Sequence, residues 1–169
     1  MIEQDKKLTW WHNIVQKLSA TGPVSRFLAP RLHRLDGFVL NITGGRWTAT
    51  TLLTGLPVIW LTTTGARSGE QRTTPLVCIK DNGRLVLIAT SFGRPQHPGW
   101  YYNLRANPEV RVSLNGSDSA YTASEVDGDE RNIYWQQAVA QYPGYRSYRD
   151  RAGEREIPVI ILTPVEKQR

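Results

Sequence analysis

Residues 57–90 decide the fold class and read PVIWLTTTGARSGEQRTTPLVCIKDNGRLVLIAT. Two β-branched runs, residues 57–64 and 73–79, flank a glycine-bounded loop, which is typical of consecutive buried strands. Asp81–Gly83 then predicts a tight hairpin turn, because Asn and Gly adopt the positive φ angles that primed turns need. Residues 84–90 (RLVLIAT) form the predicted returning strand. Strands joined by hairpins indicate a mainly antiparallel sheet.

The pattern downstream of this stretch predicts helices inserted between further strands. After a loop at residues 91–97, Pro98 takes the first position of a helix that Pro108 stops. Later elements are predicted as strands at residues 109–114, 121–126 and 157–163 and as a helix from Asp127, its N-cap, to about Gln141. We expect an α+β fold in which the antiparallel sheet curls into a small barrel.

The first quarter of the chain has a different character. Apolar residues recur at helical spacing at Leu8, Trp11, Ile14, Val15 and Leu18, and a second helix is predicted between Pro23 and Gly44 with a bend at Pro30. We therefore divide one domain into an N-terminal helical segment, residues 1–45, and a barrel, residues 46–169. The basic, aromatic helices suit a membrane surface, and the alternative is that they pack against the barrel.

Composition narrows the class of protein. The chain has 169 residues, 40% of them hydrophobic, a net charge of +6 and a single cysteine, Cys78. One cysteine allows no internal disulfide, so we expect a reducing, cytoplasmic setting. His12, His33 and His97 lie far apart without a ligand pattern, so no metal site is expected. The basic excess suits a nucleic acid, membrane headgroups or a polyanionic small ligand.

The loop in residues 61–72 (LTTTGARSGEQR) favours the small polyanion. Its glycines let backbone N–H groups approach an anion, and guanidinium forks match phosphate or carboxylate oxygens in pairs. The candidate ligands in this loop are Arg67, Ser68 and Arg72. The chain has neither a GxGxxG fingerprint nor a GxxxxGK[ST] loop, so a dinucleotide or nucleotide phosphate held in those ways is not expected. Solvated arginines that only keep a hairpin soluble are the alternative.

Three further motifs accompany this loop. They are ATSFGR at residues 89–94, HPGWYYNLRANP at residues 97–108 and YPGYRSY at residues 142–148. Together with the basic loop, they resemble the deazaflavin (F420)-dependent nitroreductase family of the split β-barrel flavin/deazaflavin oxidoreductase superfamily. The resemblance covers residues 55–165 and implies a mainly antiparallel split β-barrel that uses coenzyme F420.

The resemblance implies a set of cofactor contacts. It implies that Arg67, Ser68 and Arg72 contact the phosphate and oligoglutamate tail of F420. The residues that contact the rest of the cofactor are then Thr73, Thr74, Pro75, Leu76, Ala89, Ser91, Phe92, Gly99, Trp100, Tyr101 and Asn103. Relatives often carry a basic pair after the first glycine, whereas this chain has Ala66-Arg67. One lost charge-assisted contact of about 1.5 to 3 kcal/mol would weaken tail binding. For Trp100, the alternative is an ordinary core position.

The tyrosines imply how an acceptor would be held. Tyr142, Tyr145 and Tyr148 recur every three residues, although Pro143 and Gly144 argue against a regular helix between them. A neutral tyrosine can donate a hydrogen bond to a carbonyl or nitro oxygen as a hydride arrives. Tyr145 is the first catalytic candidate, followed by Tyr148, and then by Tyr142 and Ser91. Rings that only fill the core are the alternative.

The expected function is that of an F420H2-dependent oxidoreductase. Its acceptor is an activated small molecule such as a quinone, a nitroaromatic or an enone, and nucleic acid is not expected as a partner. An FMN-dependent split-barrel oxidoreductase and a non-catalytic cofactor or tetrapyrrole carrier are the alternatives. The sequence leaves monomer and homodimer both open.

Overall fold

The structure is a computed structural model, and it describes residues 57–165. The elements in chain order are β1 (Val58–Thr64), β2 (Gln71–Val77), β3 (Ile79–Asp81), β4 (Arg84–Ile88), a 3-10 turn (Ser91–Gly93), α1 (Gly99–Ala106), β5 (Glu109–Leu114), β6 (Ser117–Val126), α2 (Gly128–Gln141), α3 (Gly144–Ala152) and β7 (Val159–Pro164). The predicted N-terminal helices and the expected segment at residues 1–45 lie outside the described residues.

The strands form one curled antiparallel sheet in the order β2-β1-β5-β6-β7-β4-β3. Its two edge strands, β2 and β3, are separated along the chain only by Cys78. Adjacent Cα atoms are about 3.8 Å apart, so the sheet must curl until its opposite edges meet near this residue. The Cys78 N–H donates to the Pro57 carbonyl at 3.0 Å. The expected antiparallel barrel is confirmed.

Alternation along the strands divides the core into two layers. The inner layer fills the barrel and is closed by side chains of α1; its members include Ile59, Leu61, Leu85, Leu87, Val112, Leu162, Trp100 and Leu104. The outer layer lies between α2 and the opposite face of β4 and β7; its members include Val86, Ile88, Val159, Ile161, Trp135 and Ala138. Strands β4 and β7 are therefore buried on both faces, which explains their continuous apolar sequences.

Most predicted boundaries agree with the structure, and the differences have local causes. The strand predicted at residues 73–79 runs from Gln71 to Val77, because the chain crosses to the other sheet edge at Cys78. Pro98 precedes α1 in an extended conformation instead of occupying its first position. Asp127 is the N-cap of α2 as predicted, but its side chain makes no capping hydrogen bond.

Strand β6 starts at Ser117, four residues before the predicted Tyr121. The pair Asn115-Gly116 forms the preceding hairpin turn, with φ angles of 53° and 80°. It is the same Asn-Gly signal that predicts the turn at Asn82-Gly83, where the φ angles are 47° and 83°.

Candidate functional site

The glycine loop between β1 and β2 is closed by its own backbone. The Gly65 N–H donates to the Glu70 carbonyl at 2.8 Å, and the Gly69 N–H donates to the Gly65 carbonyl at 2.9 Å. A Cβ atom on Gly65 would stand 2.7 Å from Ser68 Oγ, and Gly69 has a φ of 70°. The positive φ favours glycine at position 69, and the Glu70 carbonyl oxygen, 3.2 Å from an added Cβ, leaves little room at position 65. Both glycine N–H groups are bonded within the loop, so they are not free to bind an anion as the sequence analysis expects.

The predicted basic side chains of this loop lie at the surface. Arg67, Ser68 and Arg72 are all exposed. Arg72 pairs with Glu70 at 3.6 Å, but the two side chains are 62% and 74% exposed. An exposed pair of this kind contributes little to stability, so a polyanion competes with Glu70 at small cost. The chemistry of the loop fits the phosphate and carboxylates of an F420-like ligand.

Asn103 fixes the loop to helix α1. Its Oδ1 accepts a hydrogen bond from the Ala66 N–H at 3.0 Å, and its Nδ2 donates to the buried Thr63 hydroxyl at 3.0 Å. One turn later, Asn107 Nδ2 donates to the Thr64 carbonyl at 3.3 Å. The Asn103 amide is thus engaged with the protein on both of its ends, and it positions the loop.

The four predicted contacts on β2 point to opposite faces of the sheet. Thr73 and Pro75 pair with Thr62 and Trp60 of β1, and the Thr62 and Thr73 hydroxyls lie 2.8 Å apart. By alternation, Val77 shares this face, and it packs against the tyrosine cluster. Thr74 and Leu76 lie on the barrel side, where Leu76 packs against the inner core layer.

The turn after β4 holds an unusual backbone. Ser91, Phe92 and Gly93 are consecutive left-handed residues, with φ angles of 50°, 57° and 76°. This conformation costs about 1 to 2 kcal/mol for each non-glycine residue. The Phe92 side chain is nevertheless 42% exposed, and its ring meets the Tyr148 ring edge-on at 5.9 Å. Such strain is concentrated at functional sites.

Arg155, in the segment between α3 and β7, holds this turn. Its Nη2 donates to the Thr90 carbonyl at 2.6 Å, and its Nε donates to the Arg94 carbonyl at 2.8 Å. Hydrogen bonds from a charged donor contribute about 1.5 to 3 kcal/mol each, which is enough to offset the strain. Nη1 reaches the Ala89 carbonyl at 3.4 Å and His97 Nδ1 at 3.3 Å.

The contact between Arg155 and His97 favours the neutral form of the imidazole. A guanidinium only donates hydrogen bonds, so His97 Nδ1 accepts and the ring proton resides on Nε2. Burial, followed by the charge of Arg155, lowers the pKa of His97 below its ordinary value. The ring stacks on Tyr101 with a centroid separation of 4.7 Å.

The predicted tyrosines do come together. Tyr142 is the C-cap of α2, whereas Tyr145 and Tyr148 lie on α3, which begins directly after Pro143. The argument against a regular helix is correct at Pro143 but wrong at Gly144, the first residue of α3. The ring centroids are 5.5 to 6.0 Å apart, and the hydroxyls of Tyr142 and Tyr148 lie 3.4 Å from each other.

Burial keeps Tyr145 and Tyr148 protonated. Burial is the main cause that raises the pKa of Tyr145 and that of Tyr148 well above the ordinary tyrosine value. Cys78 lies close enough to Tyr145 to contribute to its shift, and burial raises the pKa of the Cys78 thiol to about 11. The cluster therefore offers neutral hydroxyl donors at physiological pH.

Several predicted cofactor contacts have packing roles. Trp100 and Tyr101 are buried in the inner core layer, and the Tyr101 hydroxyl donates to Glu125 at 2.9 Å. Ala89 is fully buried in the same layer and presents its carbonyl to Arg155. Gly99, the first residue of α1, is exposed.

Within the part of the chain that the structure describes, no three His, Cys, Asp or Glu side chains cluster to hold a metal ion. None of the helices described at residues 57–165 is long and apolar enough to cross a membrane.

Sequence reasoning did not identify Arg155 or Thr63. Arg155 lies in the polar segment GEREIP, and nothing in its neighbours indicates that it reaches the turn after β4. Thr63 belongs to a threonine run, in which only the strand alternation of inward and outward side chains identifies it as the buried member.

A family model described as F420H(2)-dependent quinone reductase matches residues 33–164. An F420H(2)-dependent quinone reductase of Mycobacterium tuberculosis is 32% identical over 143 residues, which cover 83% of this chain and 95% of that protein. Among solved structures, an F420-H2 dependent reductase, FDR-A, is 41% identical with a TM-score of 0.58, over 63% of this chain and 93% of its own. Another, described as a domain-swapped dimer, is 34% identical with a TM-score of 0.60, over 83% of this chain and 99% of its own.

Proposed function

The chain belongs to the F420H(2)-dependent quinone reductase family, and from this membership we propose that it transfers a hydride from reduced F420 to a quinone. The membership agrees with the resemblance drawn from the sequence motifs. It favours F420 over FMN as the cofactor, and an oxidoreductase over a non-catalytic carrier. Within the structure, the contact of the Phe92 and Tyr148 rings at 5.9 Å supports the proposal, because it joins the strained turn to the tyrosine cluster.

We propose that the glycine loop receives the anionic end of the cofactor. Arg67 and Arg72 would pair with its phosphate and tail carboxylates, and the Ser68 hydroxyl would donate to the same oxygens. Asn103 supports this loop from α1 through its bond to the Ala66 N–H. The exposure of both arginines supports the assignment.

The deazaflavin ring is proposed to lie on the face of β2 that carries Thr73 and Pro75. Val77 of that face packs against the tyrosines, so ring and acceptor would be neighbours there. Thr74, Leu76, Trp100 and Tyr101 would support this face through core packing, while Ser91 and Phe92 border the ring. Gly99 is proposed to act through its exposed backbone, whereas Ala89, buried in the inner core layer, would support the turn from below.

Reduced F420 supplies the hydride when it is bound. The chain's own contribution is orientation and hydrogen bonding, which do not require a protein nucleophile. The hydroxyls of Tyr148, Tyr142 and Tyr145 are proposed to donate to the acceptor oxygen that gains negative charge. Ser91 is proposed as a further donor to that oxygen.

A fluorescence titration of the purified chain tests this function. Apoprotein is titrated with F420 and, in parallel, with FMN; the reduced F420 complex is then mixed with menadione, a simple quinone. We expect saturable binding with preference for F420, followed by reoxidation faster than in a protein-free control. Preference for FMN, or binding without accelerated reoxidation, would contradict the proposal.

For residues 1–45 we propose, from the sequence, packing against the barrel in a cytoplasmic protein, with contact to the membrane surface as the competing arrangement. Liposome flotation of the full chain and of a chain that begins at Asp36 separates the two. Equal and negligible flotation supports packing, whereas flotation of the full chain alone supports the membrane contact. Size-exclusion chromatography with light scattering decides between monomer and homodimer.

A further inference from the structure

The Arg155 side chain binds three points of one stretch, residues 90–97, that is distant from it in sequence. Its guanidinium donates to the carbonyls of Thr90 at 2.6 Å and of Arg94 at 2.8 Å, the residues on either side of the 3-10 turn. Its third nitrogen lies 3.3 Å from His97, in the loop that leads into α1. One planar group thus spans the start of the turn, its end and the approach to the next helix.

The turn has few other bonds that would select its conformation, and the external one is long: Arg151 Nη2 donates to the Phe92 carbonyl at 3.4 Å. Inside it, the Gly93 N–H donates to the Thr90 carbonyl at 2.9 Å, and the Arg94 N–H donates to the Ser91 carbonyl at 3.1 Å. Thr90 Oγ1 accepts from the Phe92 N–H at a long 3.4 Å. The left-handed conformation is unfavourable for Ser91 and Phe92, so a strong hydrogen-bond donor from outside the turn is needed to stabilise it.

We infer that Arg155 is a positioning residue, whose guanidinium sets the turn and thereby the places of the Ser91 hydroxyl and the Phe92 ring. The inference rests on the proposed function, in which these two side chains border the cofactor and the acceptor. Arg155 itself acts through the turn and touches neither.

The planar fork is the property that matters. It directs Nε and Nη2 to two carbonyls at once, while Nη1 faces the Ala89 carbonyl and the histidine. An ammonium group carries the same charge on a single nitrogen and cannot span the two ends of the turn. Lysine at position 155 should therefore fail to replace arginine.

The experiment compares R155M and R155K with R131M in the full-length protein. Arg131 is the matched control, since its side chain also binds the segment between α3 and β7, through the Ile157 carbonyl at 3.1 Å and Glu156 at 3.1 Å. It has no described contact with the turn. Melting temperatures report the general loss of stability in each variant.

The first measurement is amide hydrogen exchange of the apoprotein over residues 90–94. We expect exchange to become about tenfold faster or more in R155M and R155K, the change that corresponds to losing one good hydrogen bond. In R131M it should stay close to wild type. Unchanged exchange in R155M, equal acceleration in R131M, or wild-type exchange in R155K would each overturn the inference.

The second measurement is menadione reduction with F420H2 at saturating acceptor, expressed per folded molecule. Displacement of the turn should lower kcat about 10- to 100-fold in both Arg155 variants and leave R131M unaffected. A kcat close to wild type in R155M, despite faster exchange, would overturn the positioning role. If the wild type itself does not oxidise F420H2, the proposed function fails, and the exchange measurement still decides whether Arg155 sets the turn.

Discussion

Gly93 and Tyr148 approach so closely that no side chain fits between their backbones. A Cβ atom on Gly93 would stand 2.7 Å from the Tyr148 carbonyl oxygen and 2.8 Å from Arg151 Cβ. Real Cβ atoms essentially never make contacts shorter than 3.0 Å. The missing side chain at Gly93 is what allows the turn to rest on α3, with the Phe92 ring against Tyr148.

Replacement of Gly93 by alanine tests this contact. Gly93→Ala adds a steric clash to an unfavourable φ of 76°, so we expect a loss of about 2 to 4 kcal/mol in the free energy of unfolding. Gly83→Ala is the matched control, since Gly83 has a φ of 83° but nothing within 4 Å of the added Cβ. The control should lose only about 1 kcal/mol. Urea denaturation measures both, and equal losses would mean that the clash is relieved elsewhere.

The Tyr148 hydroxyl is expected to be catalytic. Tyr148→Phe keeps the buried ring and removes only the hydroxyl, so the fold should persist while kcat with menadione falls about 10- to 100-fold. Tyr134→Phe is the control, because its hydroxyl donates at 2.6 Å to Asp81, the last residue of β3. That variant should lose stability and keep its kcat. Stopped-flow reoxidation of bound F420H2 measures the step directly, and a wild-type rate in Tyr148→Phe would exclude the role.

Glu70 is expected to weaken cofactor binding, since its carboxylate competes for Arg72 at 3.6 Å. Glu70→Gln should tighten F420 binding about two- to fivefold at low salt. The gain should vanish in about 0.5 to 1 M salt, because salt at that concentration screens exposed charges over a few ångströms. Asp118→Asn, at an exposed position opposite Ser113, is the control for net charge. Fluorescence titrations at two salt concentrations suffice, and an equal gain in both variants would indicate a general charge effect.

His97 should make stability depend on pH below neutrality. Its folded-state pKa is lowered, mainly by burial and then by Arg155, so the unfolded chain binds a proton at higher pH than the folded chain does. Stability should therefore be complete above the ordinary histidine value of 6.5 and decline as the pH falls below it. His97→Gln should remove this component.

Unfolding midpoints between pH 5 and 8, roughly the histidine range, measure the effect. Asp81 does not contribute to the decline in this range, since its lowered pKa affects stability only below its ordinary value of 3.8. A wild-type profile in His97→Gln would contradict the assignment of the decline to this ring.

Sequence reasoning succeeds here where local patterns are sufficient. The β-branched run at residues 57–64 predicts β1, and the Asn-Gly pair predicts the turn at Asn82. Pro143 predicts a break after Tyr142, although the helix that follows it is not predicted. Each of these features depends only on residues that are neighbours in the sequence, so the sequence alone is enough to predict it.

Long-range relationships escape the same reasoning. The resemblance assigns four consecutive residues of β2 to the cofactor. In the sheet, however, Thr73 and Leu76 of this set lie on opposite faces. The hydrogen bond from Arg155 to Thr90 joins residues that are 65 positions apart, and its acceptor is a backbone carbonyl, a group that every residue has. No residue type marks such an acceptor in advance.

The passage from β2 to β3 through Cys78 limits how the chain can change in length. Val77 faces the tyrosines and Ile79 faces α2, both on the outside of the curled sheet, while the thiol between them lies within the barrel. An insertion or deletion of one residue here would reverse this alternation and expel Ile79 from the apolar layer beneath α2. Length variation should therefore be accommodated elsewhere, which makes this passage a fixed reference point for aligning distant sequences.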